Sequence, residues 1–405
     1  MKMRFLRDLP AIGAALLSLA ACAGDGPRGP AAAVGTEVRL IDERELVVIY
    51  ELDVAAEPLK AAVAARGYAV LDETALPALS LQMLTLEIPV GRTGPEAIRE
   101  VEALEPRTIA GVNHAFETPP AELSADPLRY ADRLLDWPAM GCVAGAPIGM
   151  IDTMVDAADP ALSGTRVVTK VFDGADRTNT RHGTDVAAIL AEPNRLRSVE
   201  IRAAAVVGGD DPAGPAAGVD EIVKALDWLA ADGVRVVNVS LAGPYNKILD
   251  RGVRAAAERG LILVAAVGND GAEAPPLYPA AFDGVLAVTA VDVEADVYRN
   301  ANRGGHIDVA APGVDVFVDT DERGRFATGT SIAAPFVTAR IAADPTLASL
   351  RGVEEVRARL RRGATDLGPP GFDEVFGAGL VDGPAGCRTD LDAPLSSKAA
   401  GAPPS

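Results

Sequence analysis

The sequence predicts an α/β chain in two folded parts. A small α+β domain of βαββαβ order precedes a larger domain built on a largely parallel sheet. Three observations predict this. From Ala146 onward, short apolar runs alternate with helical stretches, as in parallel strands joined by crossover helices and covered on both faces. Between Glu45 and Glu117 a shorter set of elements stands apart, closed off by Thr118-Pro119-Pro120. The chain has 405 residues, of which 49% are apolar, so there is material for more than one core.

Residues 1–22 read as an export signal. Lys2, Arg4 and Arg7 give a positive start, and the apolar run Ala11 to Ala21 is too short to span a bilayer. It ends Leu19-Ala20-Ala21-Cys22, which resembles a bacterial lipobox and implies lipid attachment at Cys22 after cleavage before it. An ordinary secretory signal with an incidental cysteine is the other reading, and Asp8 departs from a clean positive start. Ala23, not Asp, follows the cysteine, which favours the outer membrane over the inner one. Residues 23–37 are a Gly/Pro/Ala tether.

The small domain is expected over 38–117. Its strands are Leu46 to Leu52, one opening at Gly67-Tyr68, Leu81 to Ile88, and Thr108 to Phe116. Its helices are Val54 to Arg66 and Pro95 to Leu104. This order is the ferredoxin-like, split-βαβ pattern. Residues 118–145 form a linker and the start of the second domain, which runs over 146–382. Strands are expected at Pro147 to Ile151, Ile201 to Val207, Val234 to Val239, Leu261 to Val267 and Val285 to Val291. Helices are expected at Gly183 to Ala191, around Val219 to Leu229, and at Gly252 to Glu258. In parallel sheets the site gathers at the carboxyl ends of the strands. Asp152, Asn238 with Ser240, and Asn269 stand there. Residues 383–405 are a Pro/Ala/Ser-rich tail expected to be disordered.

The net charge of −19 argues against a nucleic-acid partner, because phosphate binding needs clustered Lys and Arg. If Cys22 carries lipid, Cys142 and Cys387 remain. In an oxidising compartment they pair across the large domain or stay as two buried thiols; pairing is the expectation.

The chemistry centres on Thr328-Gly329-Thr330-Ser331-Ile332-Ala333-Ala334-Pro335. A Gly-Thr pair delivers Ser331 to the start of a helix, with Pro335 expected in the first turn. Unpaired N–H groups and the positive end of the helix dipole favour a developing anion there. A serine needs a base, and the base needs an orienting acid. Of three histidines, His182 opens a helix, whereas His114 and His306 read as structural or surface residues. Asp152 at a strand end, His182 and Ser331 follow in that order.

That order and the segments around it resemble the subtilisin-like serine proteases, the subtilase family. The matching segments are Ile148 to Thr153, His182-Gly183-Thr184, Asn238 to Pro244, Ala265 to Gly271 and Gly329-Thr330-Ser331. Spacings of 30 (182−152), 87 (269−182) and 62 (331−269) residues fit as well. The resemblance covers about residues 126–382 and implies a three-layer subtilisin-like domain. It implies a serine endopeptidase with Ser331 as nucleophile, His182 as base, Asp152 as orienting acid and Asn269 as oxyanion donor. Asn238 is expected to be a structural hydrogen-bonder. Ser240, Leu241, Ala242 and Gly243 resemble the edge segment that pairs with extended substrate. The small domain would be a propeptide that chaperones and inhibits, with self-cleavage between about Glu117 and Asp126. Partners would be protein or peptide substrates, the chain's own prodomain, and a membrane through the lipid. No cofactor is expected; calcium is common in this family, but no ligand loop is legible.

Several positions depart from the family. Met154 stands where Gly is usual, which would strain a turn needing positive φ. Asp185 places a carboxylate one turn from His182. Ala242 replaces a Gly, and Phe336 and Arg340 follow Ala-Ala-Pro. The runner-up reading is a catalytically silent envelope lipoprotein that uses a peptidase fold for binding. An ester hydrolase ranks lower, since Gly-Thr-Ser-Ile-Ala is not the Gly-x-Ser-x-Gly elbow.

Overall fold

A computed structural model describes residues 40–117, 130–138, 140–172, 174–208, 215–320, 324–350, 352–384 and 387, within one compact unit spanning Val38–Ser405. The signal with Cys22, the tether, the expected cleavage stretch after Glu117 and the tail from residue 388 lie outside these residues.

The N-terminal domain comprises β1 (Glu45–Glu51), α1 (Ala56–Ala64), β2 (Ala69–Leu76), β3 (Leu81–Glu87), α2 (Gly94–Leu104), β4 (Ile109–Val112) and β5 (Ala115–Glu117). The first four strands form an antiparallel sheet in the order β2-β3-β1-β4. α2 begins where Glu96 accepts from the Thr93 N–H at 3.0 Å. The central strand β1 is apolar on both faces, while β2 is largely exposed. Leu46, Val48 and Tyr50 pack with residues of α1 and α2. Val47, Ile49, Leu81 and Met83 join a core shared with the second domain. Continuous apolar runs in an antiparallel strand mean that both faces are covered.

The second domain contains α3 (Ala131–Leu134), β6 (Cys142–Val143), β7 (Ile148–Asp152), β8 (Arg166–Val171), α4 (Arg181–Ala191), β9 (Leu196–Arg197), β10 (Glu200–Ala205), β11 (Ala216–Gly218) and α5 (Val219–Ala231). It continues with β12 (Val236–Val239), α6 (Lys247–Glu258), β13 (Ile262–Ala266), β14 (Val285–Val291), β15 (Val309–Pro312), β16 (Val316–Val318) and β17 (Arg325–Ala327). The helices α7 (Thr330–Ala343), α8 (Pro345–Ala348) and α9 (Val353–Gly363) follow. Seven strands make one parallel sheet, ordered β15-β14-β13-β12-β7-β10-β8. One face packs with α4 and α7, the other with α5 and α6. Cys142 in β6 is bonded to Cys387, with Cα atoms 5.5 Å apart. Among the described residues no helix is long and apolar enough to cross a membrane.

Two boundaries differ from expectation for a physical reason. Thr108 to Phe116 is not one strand. The chain leaves the sheet at Asn113, whose side chain caps a helix of the other domain. Its Oδ1 accepts from the Val219 N–H at 2.7 Å, and its amide donates to Asp220 at 2.7 Å. Helix α6 starts earlier than expected, at Lys247, because Asn246 caps it by accepting from the Ile248 and Leu249 N–H groups. Asn246 also donates to the Val112 carbonyl at 3.0 Å and meets His114 Nδ1 at 2.8 Å. Gly111 lets β4 approach α6: a Cβ there would lie 2.9 Å from Ile248.

Beside the Asn113 cap, Glu221 is buried in the first turn of α5. Burial, reinforced by the charge of Asp220 and opposed by Lys224, pushes its carboxyl from the ordinary 4.5 to about 8. The folded state therefore holds a proton that the unfolded chain has lost. Stability from this group is complete below the ordinary carboxylate value and is lost as pH rises through about 8. Thermal unfolding at acid, neutral and alkaline pH should show Glu221→Gln flattening that alkaline fall; an identical fall in the variant refutes the assignment.

Candidate active site

Four sequence-predicted residues stand at the carboxyl ends of central strands, Asp152 and Asn269, or at helix starts, His182 and Ser331. Asp152 ends β7 and is fully buried. Its Oδ1 accepts from the Thr153 N–H at 2.6 Å and meets His182 Nδ1 at 2.7 Å. His182 is the second residue of α4, with 13% of its side chain exposed. The Thr153 hydroxyl fixes that helix start by accepting from the Gly183 N–H at 2.7 Å. Only glycine fits at 183, since a Cβ would lie 2.7 Å from the carbonyls of Thr153 and Met154.

The imidazole sits in opposing influences. Burial works against its charged form, but the charge and hydrogen bond of Asp152, with a further contribution from Asp185, prevail and raise its pKa. A carboxylate bonded to Nδ1 leaves Nε2 as the ring's working nitrogen. His182 Nε2 and Ser331 Oγ are both buried and neither makes a hydrogen bond.

Ser331 is the second residue of α7, a helix whose fourteen residues are all buried. Such a helix is apolar all round because it runs through the core. The expectation for Pro335 is corrected: it is the sixth helical residue, not a first-turn one. It therefore removes the N–H that would bond the Ser331 carbonyl. Ser240 supplies the missing donor, its hydroxyl bonding that carbonyl at 3.0 Å. Asn238 donates to Ser240 Oγ at 2.8 Å and accepts from the Thr338 hydroxyl at 3.1 Å. Asn238 is thus the structural bonder expected. Ser240 and Leu241 are wholly buried, so any pairing of Ser240–Gly243 with a substrate falls to the backbone.

Asn269 follows β13. Its Oδ1 accepts from the Thr330 N–H at 3.0 Å and the Thr330 hydroxyl at 2.9 Å. Thr330 Oγ1 in turn accepts from the Gly268 N–H at 3.1 Å. With the carbonyl end committed to Thr330, the amide end is the donor Asn269 presents elsewhere. Sequence reasoning did not single out Thr330, Thr153 or Thr338. Only the Pro335–Ser331 spacing of four hinted that a helix carbonyl needed help.

A piece of the N-terminal domain reaches β11 and Gly243. β5 pairs antiparallel with β11, with Phe116 opposite Ala217 and Glu117 opposite Ala216. Phe116 is fully buried, and its ring lies 2.7 Å from where a Cβ on Gly243 would sit. Gly243 and Tyr278 exchange backbone hydrogen bonds of 2.9 and 2.8 Å.

Three of the departures noted in the sequence, Met154, Phe336 and Arg340, are accommodated. Met154 does not adopt a positive φ, so the turn carries no such strain. Arg195 stacks 4.2 Å above the Phe336 ring. Arg340 bonds Asp344 at 2.9 Å and the Asp382 carbonyl at 2.9 Å. Among the described residues no three His, Cys, Asp or Glu side chains gather as a metal site.

Comparison with known proteins points the same way. The subtilase family profile matches residues 144–379. Subtilisin BL of Lederbergia lenta is 32% identical over 221 residues, 51% of this chain and 77% of that protein. The minor extracellular protease Epr of Bacillus subtilis is 30% identical over 227 residues, 52% of this chain but only 33% of that protein. Fervidolysin from Fervidobacterium pennivorans shares the fold at TM-score 0.67 and 21% identity, covering 84% of this chain and 60% of that one. A leader-peptide-processing serine protease of Staphylococcus aureus does so at TM-score 0.60 and 18% identity, covering 84% and 97%.

The Ser240 hydrogen bond is testable. Ser240→Ala leaves the Ser331 carbonyl buried without a donor, which costs about 1–3 kcal/mol. Denaturant unfolding should give that loss, with Ser240→Thr retaining most of the stability. Equal stability of wild type and Ser240→Ala would refute the support role.

Proposed function

Because the chain belongs to the subtilase family, we propose that it is a serine endopeptidase working through Ser331, His182 and Asp152. The observation that carries this is the 2.7 Å Asp152–His182 bond, in a chain that also places Ser331 at the start of a buried helix. Ser331 attacks the peptide carbonyl. His182 Nε2 takes its proton and returns it to the leaving amine. Asp152 holds the ring in the required tautomer and stabilises the imidazolium. The Asn269 amide and the Ser331 N–H receive the oxyanion.

Substrate binds as an added strand along β11 and the backbone of Ser240–Gly243. The N-terminal domain acts as a propeptide: its last strand, β5, already pairs with β11. Self-cleavage follows shortly after Glu117. The leader directs export to the cell envelope, with Cys22 as lipid anchor; after self-cleavage that anchor holds the N-terminal domain, and the peptidase only while the two stay bound.

Mass spectrometry of the wild type and Ser331→Ala tests self-processing. The wild type should gain a new N-terminus between Glu117 and Asp126, and the variant should not; identical N-termini would sink the idea. Asn269→Ala should lower kcat by about 10²–10³, the range known from removing such a donor in subtilisin, with little change in KM. A fluorophosphonate that fails to label Ser331 in processed, folded protein would instead favour the catalytically silent reading.

A further inference from the structure

Asp185 lies on α4, one turn beyond His182, and is only 2% exposed. A buried carboxylate is costly unless it is paired and hydrogen-bonded. The Thr320 hydroxyl donates to its Oδ1 at 3.0 Å, and the Arg325 guanidinium bonds its Oδ2. Arg325 opens β17, six residues before Ser331. It also donates to the backbone carbonyl of Arg181, the residue before His182, at 3.3 Å. One buried ion pair therefore joins the helix that carries His182 to the strand that leads to Ser331.

We propose that Asp185 and Arg325 are positioning residues for His182, registering its helix against the nucleophile's strand and placing opposite charges around the ring. This rests on His182 being the base. The charged groups that act on the imidazole are Asp152 from β7, which bonds it, and Asp185 from its own helix and Arg325 from β17, which pair with each other one turn along α4. Of these, both carboxylates favour the imidazolium and Arg325 opposes it. A pair that only held the fold would not move the ring's titration in opposite senses when each half is removed.

The test is the pH dependence of fluorophosphonate labelling of Ser331 in the full-length chain. Labelling requires neutral His182, so its acid limb reports the ring. Asp185→Asn removes a negative neighbour, and the limb should move about one pH unit lower. Arg325→Gln removes a positive one, and the limb should move higher by a similar amount. The double variant should return near the wild-type position, and Arg325→Lys should keep it. Limbs unmoved in both single variants, or moved in the same direction, overturn the proposal. If Asp185→Asn does not fold, Arg325→Gln against Arg325→Lys decides: coincident limbs overturn it. A wild type that does not label at all refutes the reading of Ser331 and this proposal with it; a wild type that labels, with single variants whose limbs do not separate to either side of it, refutes this proposal alone.

Discussion

The site depends on a helix carbonyl that its own helix cannot satisfy. Pro335 denies the Ser331 carbonyl its donor, inside a helix buried along its whole length. An orphaned acceptor at that depth would cost about 1–3 kcal/mol. The Ser240 hydroxyl offsets this, and it is itself held by Asn238, which is held by Thr338 on the next turns of the same helix. The loop after β12 is thereby fixed to Ser331. The residue that stabilises α7 and the Ser240–Gly243 segment are one stretch of chain, so under the proposed function the nucleophile and the substrate edge would share one frame.

The remaining groups follow from sheet geometry. In a parallel sheet the strands all end on one side, so Asp152 at the end of β7 and Asn269 after β13 are delivered there without special loops. What does need special chemistry is the orientation of each. Thr153 ties the end of β7 to the start of α4, and Thr330 ties Asn269 to the start of α7. Hydroxyls suit this role because one oxygen both donates and accepts within a small space. Asp152, His182 and Asn269 are thus held by short links, not by long side chains.

Much of this was legible in the sequence. The alternation of apolar strands and helices gave the parallel sheet, and the polar residues at strand ends marked the site. Two boundaries were less legible: Asn246 is a local cap for α6 that apolar periodicity passes over, and Asn113 acts across domains. Asn113 interrupts an apparently continuous strand to cap a helix more than a hundred residues away, and no local pattern encodes that. Ser240 sits inside a motif that suggested substrate contact, yet its side chain faces the core; periodicity at a strand end does not say which face is wet. Pro335 is the instructive miss. Its distance of four from Ser331 was visible, but only the true helix start shows which carbonyl it strands.

The two-faced sheet of the N-terminal domain has a further consequence. Val47, Ile49, Leu81 and Met83 are dry only because α5 and α6 lie against them, and those helices are dry for the same reason. A break in the backbone after Glu117 would alter connectivity without wetting either surface. Each half would remain the other's solvent shield, and the lifetime of the pair would be governed by the area that must be hydrated to part them. Such a cut and the departure that could follow it would be physically separate events, with separate barriers.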